Sequence, residues 1–531
     1  MKKWLAFLIA FSLCFALSAA QAETPQVGAI QVLLSDDGVM VNGQQASSDP
    51  GAAVYTAHDI VFYLAGQDFT YGEGKEHEGH TQEEADVHTV VHITQPGTYV
   101  LSGQLSAGQI AVDVKDGKKD PEAVVTLVLN GVDITCTVAP AIIFYNVYEC
   151  GSDDAETASM TVDTAAAGAN VVIADDTVNN ISGSHVARIY EPGTVQLSAD
   201  GQKVEEAKKL HKYDAAFYAR RSMNLNGGEK GNGILNIYAD NEGLDSELHL
   251  TINGGSINIF SGNDGINTNE DNVSVTTVNG GQLTICVTGT TGEGDGIDSN
   301  GWLVINGGSV TSAACGFSAD AGIDSDMGIW LNGGEVCATG NMFDHVAGGD
   351  APYAVFAFDG RMKAGSTITL KNEAGEAVQS WAPANDFSYL VISGQAVQPG
   401  SYTLWQDDTQ LAYTGTTVMA FGGGMGGMKP PQGFEPPAGF DSSRMPPQGG
   451  MPGGMQPPEG FDPSQMSPPP GGFEMPEDMK MPEGLEPPAD GRGPGGRRGG
   501  FGSHQGGEQQ TVFVITEEGG SYSGVGAVRA E

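Results

Sequence analysis

The sequence predicts an all-β fold, a solenoid in which short parallel strands stack coil upon coil as a parallel β-helix. The triplet Asn-Gly-Gly recurs at near-constant spacing, and the segments between the triplets alternate apolar and polar residues. The triplets begin at Asn226, Asn253, Asn279, Asn306 and Asn332, which gives spacings of 27, 26, 27 and 26 residues. A propeller blade needs about 40 residues or more, whereas one coil of two or three short strands fits this period.

Each coil is predicted to contain strands and no helix. Segments such as LHLTI, SINIF and WLVI alternate with the period of two that is typical of strands. If successive coils stack about 4.8 Å apart, the five asparagines lie above one another and their amides hydrogen-bond along the stack. The two glycines after each asparagine permit the corner conformation.

The rest of the chain divides by composition. Residues 1–22 contain two lysines, an apolar run and Ala-Gln-Ala, which predicts a secretory signal peptide cleaved before Glu23. Lipid attachment at Cys14 is not expected, because this cysteine lies inside the apolar run. The further predicted regions are irregular β-helix coils at 23–215, regular coils at 216–346, a small C-terminal β-module at 347–421, a long disordered Gly/Pro/Met-rich insertion at 422–510, and a returning strand with the C-terminus at 511–531.

Composition restricts the functional class. The net charge of −42 disfavours nucleic acid as a partner. No second apolar stretch approaches the roughly 20 residues of a membrane helix, so membrane insertion is not expected. Five cysteines follow the signal, an odd number that argues against a disulfide framework. We therefore expect a secreted protein, free or associated with the cell surface, whose oligomeric state the sequence leaves open.

Acidic residues recur in register with the asparagines. They stand at offsets 14, 16 and 19 from Asn226 and again from Asn279, within a shared corner of the form Gly-[Ile/Leu]-[Asp/Asn]-[Ser/Thr]. The candidate metal ligands are Asp240, Glu242, Asp245, Glu293, Asp295 and Asp298 from these two coils, Asp264, Asn267 and Asp271 from the coil between them, and Asp324 and Asp326 from the fourth.

Stacking the coils would build two columns of these side chains. One column is Asp245, Asn267, Asp298 and Asp324, and the other is Glu242, Asp264 and Asp295. Residues 231–360 contain 17 Asp and Glu and neither Lys nor Arg, so no basic side chain of these coils can neutralise the columns. Oxygen ligands of this kind favour calcium as the cofactor. The alternative is that they are solvated turn residues, which are common at Asp-Gly and Asn-Gly.

The repeated segments resemble a known family. NEGLDSELHLTINGGSINIFSGNDGIN and GDGIDSNGWLVINGG, with GTYVLSGQLSAGQIAVDV and VVTLVLNGVDIT upstream, are similar to the secreted carbohydrate-binding β-helix proteins of cellulolytic clostridia. The resemblance covers roughly residues 90–420. It implies a right-handed parallel β-helix related in architecture to pectate lyases, which binds calcium and plant polysaccharides such as cellulose and pectic acid. No catalytic activity defines the family.

The resemblance also ranks the candidate ligands. It implies that Asp245, Asp264, Asp295, Asp298 and Asp324 hold calcium. The fourth corner has Ala321 where the other corners have an acid, so a site there is expected to be weaker or to be completed by Asp326.

Two tryptophans are candidates for sugar binding. If Leu303, Ile305 and Leu331 point inward, strand parity turns Trp302 and Trp330 outward on one face, about a coil apart. Aromatic rings on a flat face can stack on sugar rings. The alternative is that the C-terminal module covers Trp330.

The sequence thus favours a non-catalytic, calcium-dependent polysaccharide-binding protein. One alternative is a calcium-dependent polysaccharide lyase of the pectate lyase type, with a base among Lys208, Lys209, Lys212, Arg220 and Arg221. Another is a surface adhesin that calcium merely stiffens. His77 and His80 could bind a metal, although a solvated loop is the simpler interpretation.

Overall fold

The fold is described from a computed structural model that covers residues 28–395, 397–418 and 508–529. The predicted signal peptide and all but residues 508–510 of the 422–510 segment lie outside these residues. The all-β class is confirmed: the described helices are the short elements Glu76–Glu78, Gln82–Asp86 and Gly117–Lys119, and all other regular elements are strands. None of these helices has the length and apolar character needed to cross a bilayer.

Most strands belong to three parallel stacks. The ladder stack contains Ile30–Leu34, the first halves of Gly97–Leu105 and Val125–Thr135, then Ala169–Ile173, Met223–Gly227, His249–Ile252, Val275–Val278, Trp302–Ile305, Ile329–Leu331 and Val346–Gly348. The second stack contains the other halves of those two long strands, then Val178–Gly183, Ile234–Ala239, Ser256–Ser261, Gln282–Val287, Ser309–Ala313 and Glu335–Gly340. The corner stack contains Thr89–Ile93, Gly108–Asp113, Ile142–Asn146, Ala215–Ala219, Glu242–Ser246, Ile266–Thr268 and Ile297–Ser299.

The chain visits the three stacks in a fixed order. From residue 215 it passes from the corner stack to the ladder stack and then to the second stack, four times in succession. Each strand pairs with its counterpart one coil later, as in Leu250 with Thr276 and Ile257 with Leu283. The apolar residues of all three stacks face one shared core.

The predicted asparagine ladder is present. The side-chain amide of each asparagine donates to the amide oxygen of the previous one, at 2.8–2.9 Å, from Asn226 to Asn332. The second glycine has positive φ in four of the five triplets, for example 85° at Gly281 and 79° at Gly308, so these corners favour a residue without a side chain there. A shorter ladder that the repeat did not reveal joins Asn180, Asn236 and Asn258 at 2.9 Å.

Antiparallel strands surround the stacks. Near the N-terminus Met40–Val41 pairs with Gln44–Gln45, and Val54–Ala57 pairs with Thr89–Ile93. Two hairpins interrupt the coil before residue 215. Val186–Tyr190 pairs with Lys209–Tyr213 in one of them, and Gln196–Leu197 pairs with Val204–Glu206 in the other.

The C-terminal strands have a core of their own. They are Tyr353–Met362, Ile368–Lys371, Ala377–Trp381, Phe387–Ser393, Gly400–Gln406, Thr409–Ala412, Phe513–Ile515 and Gly520–Ala527. Phe387–Ser393 pairs antiparallel with Glu335–Gly340, so this module continues directly from the second stack. Phe513–Ile515 pairs with Gly400–Gln406 although about 100 residues separate them in sequence.

Candidate functional site

The acidic side chains lie in two columns along the corner stack. Strand register aligns Asp245 with Asn267 and Asn267 with Asp298. The amide of Asp324 donates to the carbonyl of Ile297 at 2.7 Å, which continues this column into the next coil. The same backbone pattern, from Gly243 to Asp264 O at 3.0 Å and from Gly265 to Asp295 O at 3.0 Å, aligns the second column, Glu242, Asp264 and Asp295.

Part of the corner motif serves packing alone. A Cβ at the corner glycine would lie 2.3 Å from Ile259 at Gly243 and 2.3 Å from Ile285 at Gly265, so each corner backbone approaches the core too closely for a side chain. The hydroxyl residues that end the motif point inward and are satisfied there, as in the 2.8 Å contact between Thr268 Oγ1 and Ser299 Oγ. Only the Asp or Asn between them remains free for another role.

Burial and hydrogen bonding differ along the columns. Glu242, Asp245 and Asp324 are buried, whereas the other acids of the columns are partly exposed. The Asn269 amide donates to both oxygens of Asp245 at 2.9 Å. Backbone amides donate to Asp264 at 2.7 Å and to Asp295 at 2.5 Å. These neutral donors orient the carboxylates without removing their charge.

The electrostatics of the columns disfavour ionised acids. Burial, followed by repulsion from neighbouring carboxylates, raises the pKa of Glu242, Asp295 and Asp298 well above the ordinary range. The pKa of Asp264 and that of Asp324 are raised to about 7, chiefly by burial. Asp264, Asp295, Asp298 and Asp324 each repel at least one other member of this set. Residues 231–360 contain neither Lys nor Arg, so these carboxylates lie too close together for all of them to ionise without a cation from elsewhere.

Several oxygens in the columns have no partner. Glu242, Asn267 and Asp324 are each more than nine-tenths buried. The side-chain oxygens Glu242 Oε2, Asn267 Oδ1 and Asp324 Oδ1 nevertheless accept no hydrogen bond. Such atoms are costly unless a ligand satisfies them. Within the described residues, no three His, Cys, Asp or Glu side chains converge as a preformed metal cluster. The donors are spread along columns instead of meeting at one point.

Residues 231–360 supply no cation to the columns, but a basic side chain from outside these coils lies at their first end. Lys212, which lies in the hairpin before the regular coils, pairs with Asp214 at 2.5 Å. Attraction to Asp214, Glu242 and Asp245 outweighs burial and raises the pKa of Lys212. Lys212 thus partly compensates Glu242 and Asp245.

Four candidate ligands lie outside the columns. Asp240 instead contacts His185 Nδ1 at 3.1 Å and accepts a hydrogen bond from Ser184 Oγ at 2.5 Å. Asp271 is exposed and accepts from the Asn300 amide at 3.2 Å, and Glu293 is also exposed. Asp326 lies beside the first column, where its amide donates to Ser299 O at 3.0 Å. Acids at the same offset from the ladder asparagine therefore do not all lie in the columns.

The two tryptophans lie on the outward face of the ladder stack. Leu303, Ile305 and Leu331 are fully buried, whereas Trp302 and Trp330 are half-buried. Trp330 pairs with Val304, so the two rings are in adjacent coils but two residues apart along the strand. The Trp330 ring packs on Gly348, where a Cβ would lie 2.7 Å from it. The following strand therefore covers part of Trp330.

Comparison with known proteins identifies the family. The model of the family described as carbohydrate-binding domain-containing protein matches residues 87–380, just over half of the 531-residue chain. The chain belongs to this family. One matching solved structure is the polysaccharide lyase-like protein from C. thermocellum, a gadolinium derivative, with 20% identity over 61% of this chain and 93% of that chain. The TM-score of this match is 0.32. No curated protein matches the chain.

The carbohydrate-binding domain also contains acids that sequence analysis missed. Asp214 is buried beside Lys212 and contributes to raising the pKa of Glu242 and Asp245. Asp344, whose own pKa burial raises to about 6, accepts from the Ser325 amide at 3.2 Å. Asp214 precedes the first regular coil and Asp344 follows the last Asn-Gly-Gly triplet, so neither falls within the repeat that revealed the others.

The other four candidate bases lie away from the acidic columns. Arg220 and Arg221 line a cavity of about 90 Å³ with Lys118, Glu149, Asp153, Glu247, Leu248 and Glu270. Lys209 pairs with Glu247 at 3.3 Å. Lys208 is exposed on the hairpin. Of the five candidate bases, Lys212 is therefore the one that the structure places beside the acidic columns.

Proposed function

We propose that this protein is a secreted, calcium-dependent polysaccharide-binding protein without catalytic activity, built on a right-handed parallel β-helix. Membership of the carbohydrate-binding domain family supports the partner class. The fixed order of three parallel stacks and the 26–27-residue repeat support the β-helix. The buried, unpartnered oxygens of Glu242, Asn267 and Asp324 are the observation that carries the calcium assignment.

The donor set fits calcium. All the candidate ligands offer carboxylate or amide oxygen, and neither sulfur nor imidazole lies in the columns, which disfavours zinc and copper. We expect Asp264, Asp295, Asp298 and Asp324 to bind calcium, because their carboxylates repel one another and lie away from Lys212. Glu242, Asp245 and Asn267 would form a second, weaker site. A bound ion would neutralise the columns and could bridge to the carboxylates of an acidic polysaccharide.

A lyase remains the second candidate because Lys212 lies beside the acids. A base at this position must be neutral to accept a proton from the substrate. The raised pKa of Lys212 keeps it protonated at neutral pH, and its ion pair with Asp214 holds it in place. These two features favour a binding protein over a lyase.

The test measures polysaccharide binding and lyase activity in one assay. Purified protein is incubated with polygalacturonate and with cellulose, in calcium or in chelator, and both pull-down and the absorbance of unsaturated products are followed. We expect calcium-dependent retention with no rise in absorbance. A rise that Lys212→Ala abolishes would establish a lyase instead. Calcium-induced stabilisation without retention on any glycan would favour the adhesin.

Two double variants test the calcium-binding acids and the tryptophan face separately. Asp298→Asn combined with Asp324→Asn should remove the calcium dependence of retention, whereas Trp302→Ala combined with Trp330→Ala should weaken retention in calcium. Phe317→Ala is the matched control, because Phe317 is an exposed aromatic residue that neither assignment uses. Full retention by the double tryptophan variant would eliminate the proposed sugar face. Secretion is checked separately, by finding Glu23 as the N-terminus of the exported protein.

A further inference from the structure

An open groove lies away from the acidic columns and the tryptophans, between the segment 60–71 and the hairpin that ends at Lys209–Tyr213. Its volume is about 580 Å³, within the range of roughly 300–1,000 Å³ that small-ligand sites occupy. The lining residues are Ile60, Val61, Phe62, Gln67, Asp68, Thr70, Tyr71, Ile189, Tyr190, Glu191, Pro192, Gly193, Val195, Leu210 and His211.

The groove is held by long-range contacts. The amide of Tyr190 donates to Tyr71 O at 2.9 Å, and Glu73 N donates to Arg188 O at 2.9 Å, so the two walls are joined backbone to backbone. Glu73 also accepts from the Tyr190 hydroxyl at 3.1 Å and pairs with Arg188 at 3.0 Å. Tyr71 packs edge-on against Tyr63 with ring centroids 5.1 Å apart. Tyr71 and Tyr190 are thus held in place before any ligand binds.

The chemistry of the lining points to a sugar. Phe62, Tyr71, Tyr190 and His211 supply rings, and Leu210 supplies an exposed apolar side chain. Asp68, Glu191 and Gln67 supply oxygens that can accept hydrogen bonds from hydroxyl groups. The lining includes two carboxylates and neither Lys nor Arg, so it disfavours anionic glycans.

We propose that this groove binds a short stretch of neutral glycan, as a second carbohydrate site that does not depend on calcium. The proposal rests on the proposed polysaccharide-binding function and extends it. The acidic columns would bind polysaccharide through calcium, and the groove would bind neutral sugar units without it. Tyr71 and Tyr190, neighbours across the paired strands at Gly72 and Ile189, stack on the sugar rings, and Asp68 and Glu191 accept from their hydroxyl groups.

The test uses defined tetrasaccharides in chelator, so that the calcium-dependent site does not contribute. Cellotetraose, mannotetraose and tetragalacturonate are titrated into the full protein, and binding is followed by saturation-transfer NMR and calorimetry. We expect at least one neutral tetrasaccharide to bind and tetragalacturonate not to bind. Tyr190→Ala and Leu210→Asp should each weaken binding about tenfold, the loss expected for one stacked or packed contact. Tyr190→Phe keeps the ring and should retain most of the affinity.

Controls separate this site from the proposed calcium-dependent function. Phe317→Ala, on an exposed aromatic residue outside both proposed sites, should bind the tetrasaccharide as the native protein does. Thermal unfolding confirms that each variant is folded. The proposal is overturned if no neutral tetrasaccharide binds, or if the folded Tyr190→Ala and Leu210→Asp variants bind unchanged. Calcium-dependent retention on polygalacturonate would survive either result, so the two proposals fail independently.

Discussion

At the scale of single residues, the corner glycines have a role that turn propensity does not describe. Several of them, including Gly265 and Gly296, have φ outside the left-handed region, so their conformation is open to other residues. The constraint is space. A Cβ on Gly296 would lie 1.8 Å from Ser312 Oγ and 2.3 Å from Gly322 O, and the latter is a backbone atom that cannot turn away.

Gly296→Ala is therefore expected to destabilise the protein by about 1–3 kcal/mol, the usual cost of overpacking a core. Chemical denaturation followed by circular dichroism measures the change. Gly360→Ala is the control, because a Cβ there meets nothing within 4 Å and its φ is not positive. An unfolding midpoint for Gly296→Ala equal to that of the control would show that the corner relaxes freely.

The acids predict a pH dependence of stability that bound calcium should reduce. Burial raises the folded-state pKa of Asp264 and Asp324 from 3.8 to about 7, so the calcium-free folded chain holds protons more tightly than the unfolded chain. This stabilisation is complete below about pH 4 and is lost as the pH rises through about 7. We expect the Tm in chelator to fall over that interval, and calcium to raise the Tm more at pH 7 than at pH 5.

Asp264→Asn tests the same balance at one position. The amide keeps an oxygen that can accept from the Asp295 amide, and it removes one repelling charge. We expect a higher Tm than native in chelator at pH 7 and a smaller rise on adding calcium, both measured by differential scanning fluorimetry. Glu373→Gln, on an exposed residue of the C-terminal module, should match the native protein. A native-sized calcium response from Asp264→Asn would remove Asp264 from the ligand set.

At the scale of elements, the asparagine ladder joins consecutive coils outside the core. Asn279 makes two ladder bonds, to Asn253 at 2.9 Å and to Asn306 at 2.8 Å, whereas Asn332 makes one. Each bond contributes about 0.5–1.5 kcal/mol in general. Asn279→Ala should therefore reduce the free energy of unfolding by about twice the amount that Asn332→Ala does. Equal losses, measured in urea, would mean that the amides act singly and not as a ladder.

At the scale of the whole molecule, the sequence predicted what is periodic. The repeat placed Asp245, Asn267 and Asp298 in register because the side chains of stacked coils follow from counting residues. It could not place Lys212, because the hairpins before residue 215 carry the chain away from the stacks and back by a path without a period. The groove depends on residues 60–71 meeting residues 189–211, and such long-range contacts leave no local pattern.

The molecule also has two hydrophobic cores, one under the stacks and one in the C-terminal module. Phe513 is fully buried in the second core, where it packs against Phe356, Tyr413 and Tyr522 at centroid distances of 4.9–5.6 Å. Phe513→Ala should destabilise the module by about 3–5 kcal/mol. Because the column acids lie along the corner stack and this core lies in the C-terminal module, the calcium-dependent rise in Tm should remain.

Hydrogen exchange in calcium and in chelator separates the two cores for this variant. We expect Tyr353–Met362 and Gly400–Gln406 to lose protection in Phe513→Ala, while Glu242–Ser246 and Ile297–Ser299 keep the protection that calcium confers. Leu404→Ala, in the same core, is the matched variant and should behave alike. Loss of protection in the corner stack would show instead that the pairing of Glu335–Gly340 with Phe387–Ser393 couples the module to the calcium-binding coils, so that the whole chain unfolds as one unit.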